Sequence, residues 1–162
     1  MTKLKSKNAV ITGGSSGIGK AIVELFIEEG ANIGIFDKDQ KAAVQQSEKY
    51  QSEGRNVVSY CGDVSNSNEV EQAFNHFKGK LGEIDILVNC AGIDNTVLLE
   101  DMSLDVWSKM IDVHLTGTFL CTKQVITGMK KSGWGRIINF SSQLAHKGAA
   151  SMVHYCAAKA GI

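Results

Sequence analysis

The sequence predicts an α/β fold, a doubly wound parallel sheet with helices on both faces. Three observations carry the prediction. Five short apolar runs lack polar alternation, as strands covered on both sides do. Longer segments between them repeat apolar residues at helical spacing, and a glycine-rich turn joins the first run to the first such segment. Parallel neighbours require crossover connections, which these intervening helices supply.

Residues 9–11 form the first strand, and Ile18, Ala21, Ile22, Leu25 and Phe26 then mark a helix that Gly30 ends. Residues 33–36 read as a second buried strand, followed by a polar-faced helix over 38–53 closed by Gly54. A third strand is expected over 57–60, a helix over 66–79 with Val70, Phe74 and Phe77 inward, and a fourth strand over 84–88. One long helix is expected from about 103 to 130, with Ser103 as its cap, Asp105 in its first turn, and Val106, Met110, Val113, Leu115 and Leu120 among its apolar positions. Residues 136–140 make the fifth strand, a small-residue loop runs through Ala150, and a last helix begins near Met152 and reaches Ile162. There is no internal repeat and no linker, so residues 1–162 form a single domain.

Seventeen Lys plus Arg balance seventeen Asp plus Glu, so no overall field attracts nucleic acid or an anionic membrane surface. A small-molecule partner is expected instead. Cys61, Cys90, Cys121 and Cys156 are widely spaced with no CxxC pair, which suits neither a zinc ribbon nor a disulfide scaffold. The first eight residues are short and basic, without the apolar stretch of a signal peptide, and no apolar run reaches the ~20 residues of a membrane span. The expectation is a soluble cytoplasmic protein with reduced thiols and no metal. Proline is absent, and no functional reading attaches to that.

Thr12-Gly13-Gly14-Ser15-Ser16-Gly17-Ile18-Gly19 lies between the first strand and the first helix. There a dinucleotide pyrophosphate can rest on backbone N–H groups and on the positive end of the helix. The spacing is Gly-xxx-Gly-x-Gly rather than the commoner Gly-x-Gly-xx-Gly, and a tight connection is the plain alternative. Asp37 ends the second strand 18 residues after Gly19, where a carboxylate reaches the adenosine ribose, accepts from its 2′-OH and repels a 2′-phosphate. No Lys or Arg lies in the turn, so NAD is favoured over NADP. Asp37 can alternatively cap the next helix, and Lys38 beside it can soften the discrimination.

Asn89-Cys90-Ala91-Gly92 follows the fourth strand, Ser141-Ser142 the fifth, and Tyr155-Cys156-Ala157-Ala158-Lys159 opens the last helix. Residues four apart on a helix share a face, so Tyr155 and Lys159 are neighbours, and a cation beside a phenol favours the phenolate. Such a pair can exchange a proton with a substrate oxygen. In order and spacing these segments, with the 12–19 turn, resemble the short-chain dehydrogenase/reductase family across residues 7–162.

The resemblance implies a Rossmann-like nucleotide-binding domain and a hydride transfer between a nicotinamide and a secondary alcohol or ketone, with a 3-oxoacyl thioester or another small carbonyl compound as substrate. It implies a catalytic set of Ser142, Tyr155 and Lys159, with Ser141 as the competing serine. Cofactor contacts fall to Gly13, Ser15, Ser16, Gly17, Ile18, Gly19, Asp37, Tyr155 and Lys159, to Asn89, Ala91 and Gly92 on the inner wall, and to Asp63 and Val64 at the adenine edge; Asp63 can equally serve as a turn acceptor.

Two positions depart from the family pattern. Cys90 replaces a second asparagine, and a small uncharged side chain packs there without blocking the cofactor. His114 stands where the family usually has an asparagine that extends the proton path through a water near the lysine. An imidazole donates and accepts too, so His114 either substitutes in that relay or is a buried, hydrogen-bonded core histidine. His146 and His154 read as pocket or surface residues, His76 as part of a polar helix face, and Trp107 and Trp134 as packing residues.

The chain resembles the front portion of such an enzyme, so the expected sheet is incomplete at its C-terminal edge and the fifth strand is an exposed edge. The longer parent is expected to be a homotetramer or homodimer. A non-catalytic nucleotide-binding or interaction protein on the same scaffold is the rival reading for the chain taken alone.

Overall fold

A computed structural model of the protein describes residues 2–162. Five strands, β1 (Asn8–Thr12), β2 (Asn32–Asp37), β3 (Val57–Cys61), β4 (Ile86–Asn89) and β5 (Arg136–Asn139), form one parallel sheet in the order β3-β2-β1-β4-β5. Seven α-helices connect or follow them: α1 (Gly17–Glu28), α2 (Gln40–Ser52), α3 (Ser67–Leu81), α4 (Leu104–Ile111), α5 (Gly117–Ser132), α6 (Leu144–Lys147) and α7 (Val153–Gly161). This is the doubly wound, Rossmann-like architecture expected from the alternating pattern.

The sheet separates two cores. On one side Val23 and Ile27 of α1 and Ala43 and Tyr50 of α2 pack on Ile11, Ile33, Ile35 and Val88. On the other, Phe74 and Phe77 of α3 and Val125 and Met129 of α5 pack on Val10, Phe36 and Leu87. The rings of Phe36, Phe74 and Phe77 meet edge to face with centroids 6.1–6.5 Å apart, the geometry that aromatic quadrupoles favour. Their close approach needs Gly34, because a Cβ there would stand 2.8 Å from the Phe77 ring.

The register aligns the carboxyl ends of the central strands. Thr12 is opposite Phe36 on one side and Asn89 on the other, and Asn89 is opposite Asn139. Strand order reverses between β1 and β4, so the connections leave in opposite directions and open a crevice beyond these ends.

Four expectations change. The helix expected over 103–130 does carry the Ser103 cap, whose hydroxyl accepts from the Val106 N–H, but a π-helical turn over Asp112–Thr116 separates α4 from α5. An inserted residue in a helix leaves no mark in apolar spacing over so short a stretch. The fourth strand begins at Ile86 rather than 84, although Ile84 is buried. Helix α2 starts at Gln40, because Asp39 and not Asp37 accepts the capping bond, from the Ala42 N–H. The loop before α7 contains the single turn α6. As expected, β5 is the outer strand, with Ile138 exposed.

Candidate active site

The turn between β1 and α1 needs glycine at specific places. Gly13 has φ +65°, and a Cβ on it would stand 2.9 Å from the Ala91 Cα, so the turn and the segment after β4 touch through backbone. A Cβ on Gly19 would overlap the Gly13 carbonyl oxygen. Gly17, at φ +50°, has nothing within 4 Å of its would-be Cβ and faces open space. Ser16 precedes α1 in an extended conformation and makes no capping bond, and the first turn of α1 contains no acidic residue. The first-turn amides of α1 therefore have no side-chain acceptor, which is the donor set an anion at a helix N-terminus requires.

Asp37 is tied to this turn. One carboxylate oxygen accepts from the Ser15 N–H at 2.9 Å and the other from the Asp39 N–H at 3.0 Å. The carboxylate thus stands at the end of β2 against the back of the turn, and the capping role falls to Asp39.

Asp63, Val64, Asp37 and Lys38 line a cavity of about 140 Å³ together with Gly13, Ser16, Ala91 and Gly92. Asp63 is indeed a turn acceptor, receiving the Ser65 N–H at 2.9 Å and the Ser65 hydroxyl at 2.6 Å on one oxygen. Its other oxygen meets Lys38 Nζ at 3.3 Å and Lys109 Nζ at 3.1 Å. Burial alone would raise this carboxyl, but the bonds from Ser65, Lys109 and Lys38 outweigh it and hold the group well below the usual carboxylate range.

A second cavity, of about 560 Å³, joins the turn to the last helix. Gly13, Ser16, Gly17, Ile18 and Gly19 form one wall, and Ser142, Tyr155, Lys159 and His114 another. Lys159 Nζ lies 5.5 Å from the centre of the Tyr155 ring and donates to the Phe140 carbonyl at 2.6 Å. Burial pushes its pKa down, with the Cys90 thiol opposing, and burial pushes Cys90 up, with Lys159 opposing. The two serines have different partners. The Ser141 hydroxyl donates to the Lys159 carbonyl at 2.8 Å, whereas the Ser142 hydroxyl accepts from the Leu144 N–H at 3.1 Å and keeps its own proton available.

His114 sits in the π-helical turn and is 4% exposed. Its Nε2 lies 2.9 Å from the Ile93 carbonyl and 3.1 Å from the Ile93 N–H, so either tautomer has a partner there. Its Nδ1 is buried without one. Gly92 makes room for the ring, since a Cβ at that position would fall 2.5 Å from His114 Cε1. Burial lowers the pKa of the imidazole; the Ile93 backbone opposes that and the Lys159 charge adds to it. The neutral form is therefore favoured. His154, expected in the pocket or at the surface, is instead fully buried with both ring nitrogens unpartnered, because the helix face that carries His154 and Ala158 packs inward. His146 is exposed, His76 packs beside Tyr60 at 5.6 Å, and Trp107 and Trp134 are half-buried.

Some residues of the site escaped sequence reasoning. Thr12 Oγ1 accepts from the Cys90 and Ala91 N–H groups at 3.1 and 3.0 Å, holding the inner wall against β1. The Asn89 amide donates to Asn139 at 2.9 Å, which orients it beside the crevice. Thr12 was legible as the first residue of the turn, but Asn139 and Lys109 carried no local signal, since their partners lie 50 and 46 residues away. Among the described residues no group of three or more His, Cys, Asp or Glu side chains is placed to hold a metal ion, and no helix is long and apolar enough to cross a membrane.

A family model described as short chain dehydrogenase matches residues 7–162. The protein therefore belongs to the short-chain dehydrogenase family. It is 40% identical over 159 residues to the 3-oxoacyl-[acyl-carrier-protein] reductase FabG of Chlamydia pneumoniae, covering 98% of this chain and 64% of that one. It is 36% identical to the acetoacetyl-CoA reductase of Cupriavidus necator (95% and 63%) and 37% identical to a 3-oxoacyl-[acyl-carrier-protein] reductase of Synechocystis (100% and 66%). The chain thus spans 63–66% of the length of these relatives.

Proposed function

We propose that the protein binds NAD(H) across the crevice between β1 and β4 and interconverts a secondary alcohol and a ketone, with a 3-oxoacyl thioester or another small carbonyl compound as substrate. The observation that carries this reading is the convergence of Ser142, Tyr155 and Lys159 with the glycine turn on one cavity of about 560 Å³. The names of the relatives support the substrate class.

The residues present fit a dinucleotide. The uncapped amides of Gly17, Ile18 and Gly19 offer donors to a pyrophosphate, with Gly13, Ser15 and Ser16 shaping the turn. Asp37 offers a carboxylate to a ribose 2′-hydroxyl and opposes a 2′-phosphate, and no cation in the turn offsets it, which favours NAD over NADP. Asp63 and Val64 close the adenine side, and Asn89, Ala91 and Gly92 the inner wall. When bound, the nicotinamide gives or takes the hydride at the carbonyl carbon.

The chain's own residues handle the oxygen. Ser142, whose proton is available, donates to it and orients it, while Tyr155 exchanges the proton that balances hydride transfer. Lys159, held by the Phe140 carbonyl, keeps its charge beside the phenol. His114, with a buried and unpartnered Nδ1, takes the place of the usual asparagine in passing that proton outward.

Titration with NADH and NADPH, followed by cofactor fluorescence and energy transfer from Trp107 and Trp134, tests the cofactor. Turnover of acetoacetyl-CoA tests the chemistry. Tighter NADH binding with measurable turnover is expected. Stronger NADPH binding would overturn the assignment to Asp37, and cofactor binding without turnover on any hydroxyacyl or oxoacyl substrate would favour a nucleotide-binding protein without catalysis.

A further inference from the structure

Four charged side chains line the smaller cavity: Asp37, Lys38, Asp63 and Lys109. Two acids and two lysines sum to zero, yet their arrangement is uneven. Asp37 is bonded to backbone amides alone, so its negative charge is left without a cationic partner. Both lysines instead converge on a single oxygen of Asp63, at 3.3 and 3.1 Å, from two different elements. Lys38 follows β2, and Lys109 comes from α4.

We infer that Asp63 is a cofactor-specificity residue that acts by occupying Lys38 and Lys109, the two cations at this cavity able to pair with a 2′-phosphate. The inference rests on the NAD(H) reading above and extends it from Asp37 to a second carboxylate. A phosphate monoester carries about −1.5 to −2 charges, so it is far more sensitive than a ribose hydroxyl to whether these ammonium groups are free. With Asp63 ionised, a 2′-phosphate meets the bare Asp37 carboxylate and two lysines already paired. With Asp63 neutral, the same cavity has a net charge of +1 and both lysines are free to turn toward the ligand. The lysine stems are exposed and flexible, so such a turn meets no packing barrier.

Asp63→Asn separates this role from the turn that Asp63 also holds. The oxygen that accepts from both the Ser65 amide and the Ser65 hydroxyl is retained as the Asn carbonyl, and only the oxygen facing the lysines becomes an NH₂ donor. The readout is the ratio of dissociation constants for NADPH and NADH in equilibrium fluorescence titrations of the full chain. In D63N the ratio is expected to move toward NADPH by about tenfold. Lys109→Met is expected to change it less than about threefold when Asp63 is present but to undo most of the shift in D63N, because the lysine is available only there. Thermal midpoints accompany each titration, and D63S replaces D63N if the latter loses its folded transition.

A ratio that D63N leaves unchanged, or a Lys109→Met effect equal in both backgrounds, would overturn the inference while leaving the NAD(H) reading intact. A wild-type chain that prefers NADPH overturns that reading first, and the inference with it.

Discussion

The imidazole of His114 stands edge-on to the phenol ring of Tyr155, with centroids 5.3 Å apart and planes at 85°. The contact joins the π-helical turn to α7, and it exists because Gly92 leaves room for the His114 ring. The packing of His114 against Tyr155 is separable from the relay through Nδ1 proposed above.

Replacing His114 distinguishes those duties. His114→Asn keeps a donor and an acceptor but loses the aromatic edge, whereas His114→Phe keeps the edge and loses both. If the relay operates, kcat falls more for H114F than for H114N, and the pH profile shifts in both. Equal kcat and an unshifted profile in H114N would leave only the packing duty.

Tyr155→Phe removes the hydroxyl proposed to exchange the proton, with little change in packing. A loss of about 10²-fold or more in kcat is expected, with NADH affinity retained within a few-fold. Stopped-flow single turnovers check it, since they separate the chemical step from product release.

The buried His114 also makes stability depend on pH. Its folded pKa lies below the ordinary value of 6.5, because burial disfavours the cation. Above 6.5 both the folded and the unfolded chain carry it neutral, so its contribution is constant. As pH falls below 6.5 the unfolded chain binds the proton first, and stability declines until the folded pKa is passed. Urea midpoints measured from about pH 7.5 down to 5 are expected to fall less steeply for H114N than for the parent chain.

Gly19→Ala places a methyl group on the Gly13 carbonyl, and the backbone of the turn has to shift. A stability loss of about 1–3 kcal/mol is expected. NADH binding should weaken further than at Gly17→Ala, where nothing lies within 4 Å of the new methyl and only the φ of +50° resists. Chemical denaturation and the same fluorescence titration check both.

The four thiols should react in an order set by burial. Cys61 is exposed, whereas Cys121 is buried between α5 and the sheet, with its pKa pushed up to about 12 by burial. Mass spectrometry after brief iodoacetamide treatment is expected to find Cys61 modified and Cys121 intact. Bound NADH should slow the modification of Cys90, which lines the larger cavity.

The fold was legible because its signals are local and periodic. Val70, Phe74 and Phe77 share one helix face by spacing alone, and the runs around Val10, Ile35 and Leu87 are apolar throughout because both faces of each strand are covered. The glycines at 17 and 19 were legible for a similar reason, since their backbone demands are met within one turn, whereas Gly13 has also to pass Ala91, which only the fold brings close. The π-helical turn escaped notice, as one extra residue changes a helix by less than its apolar spacing can record.

The sequence by itself determined the alternation of strands and helices, the glycine turn and the Tyr155–Lys159 pair, because each depends on neighbours a few residues apart. Only the tertiary structure decided which carboxylate does what. Asp37 looked able to cap α2, but the Ser15 amide, which β1 brings to the end of β2, engages it, and the cap falls to Asp39, which the sequence did not single out. Asp63 looked like a turn residue and is one, yet the fold also brings Lys109 of α4 to the loop after β3, so that Lys109 and Lys38 meet on its other oxygen. Likewise Ser141 and Ser142 differ only once α7 docks and its Lys159 carbonyl engages the first hydroxyl. Long-range pairing follows from how elements pack, and packing joins residues that no spacing along the chain connects.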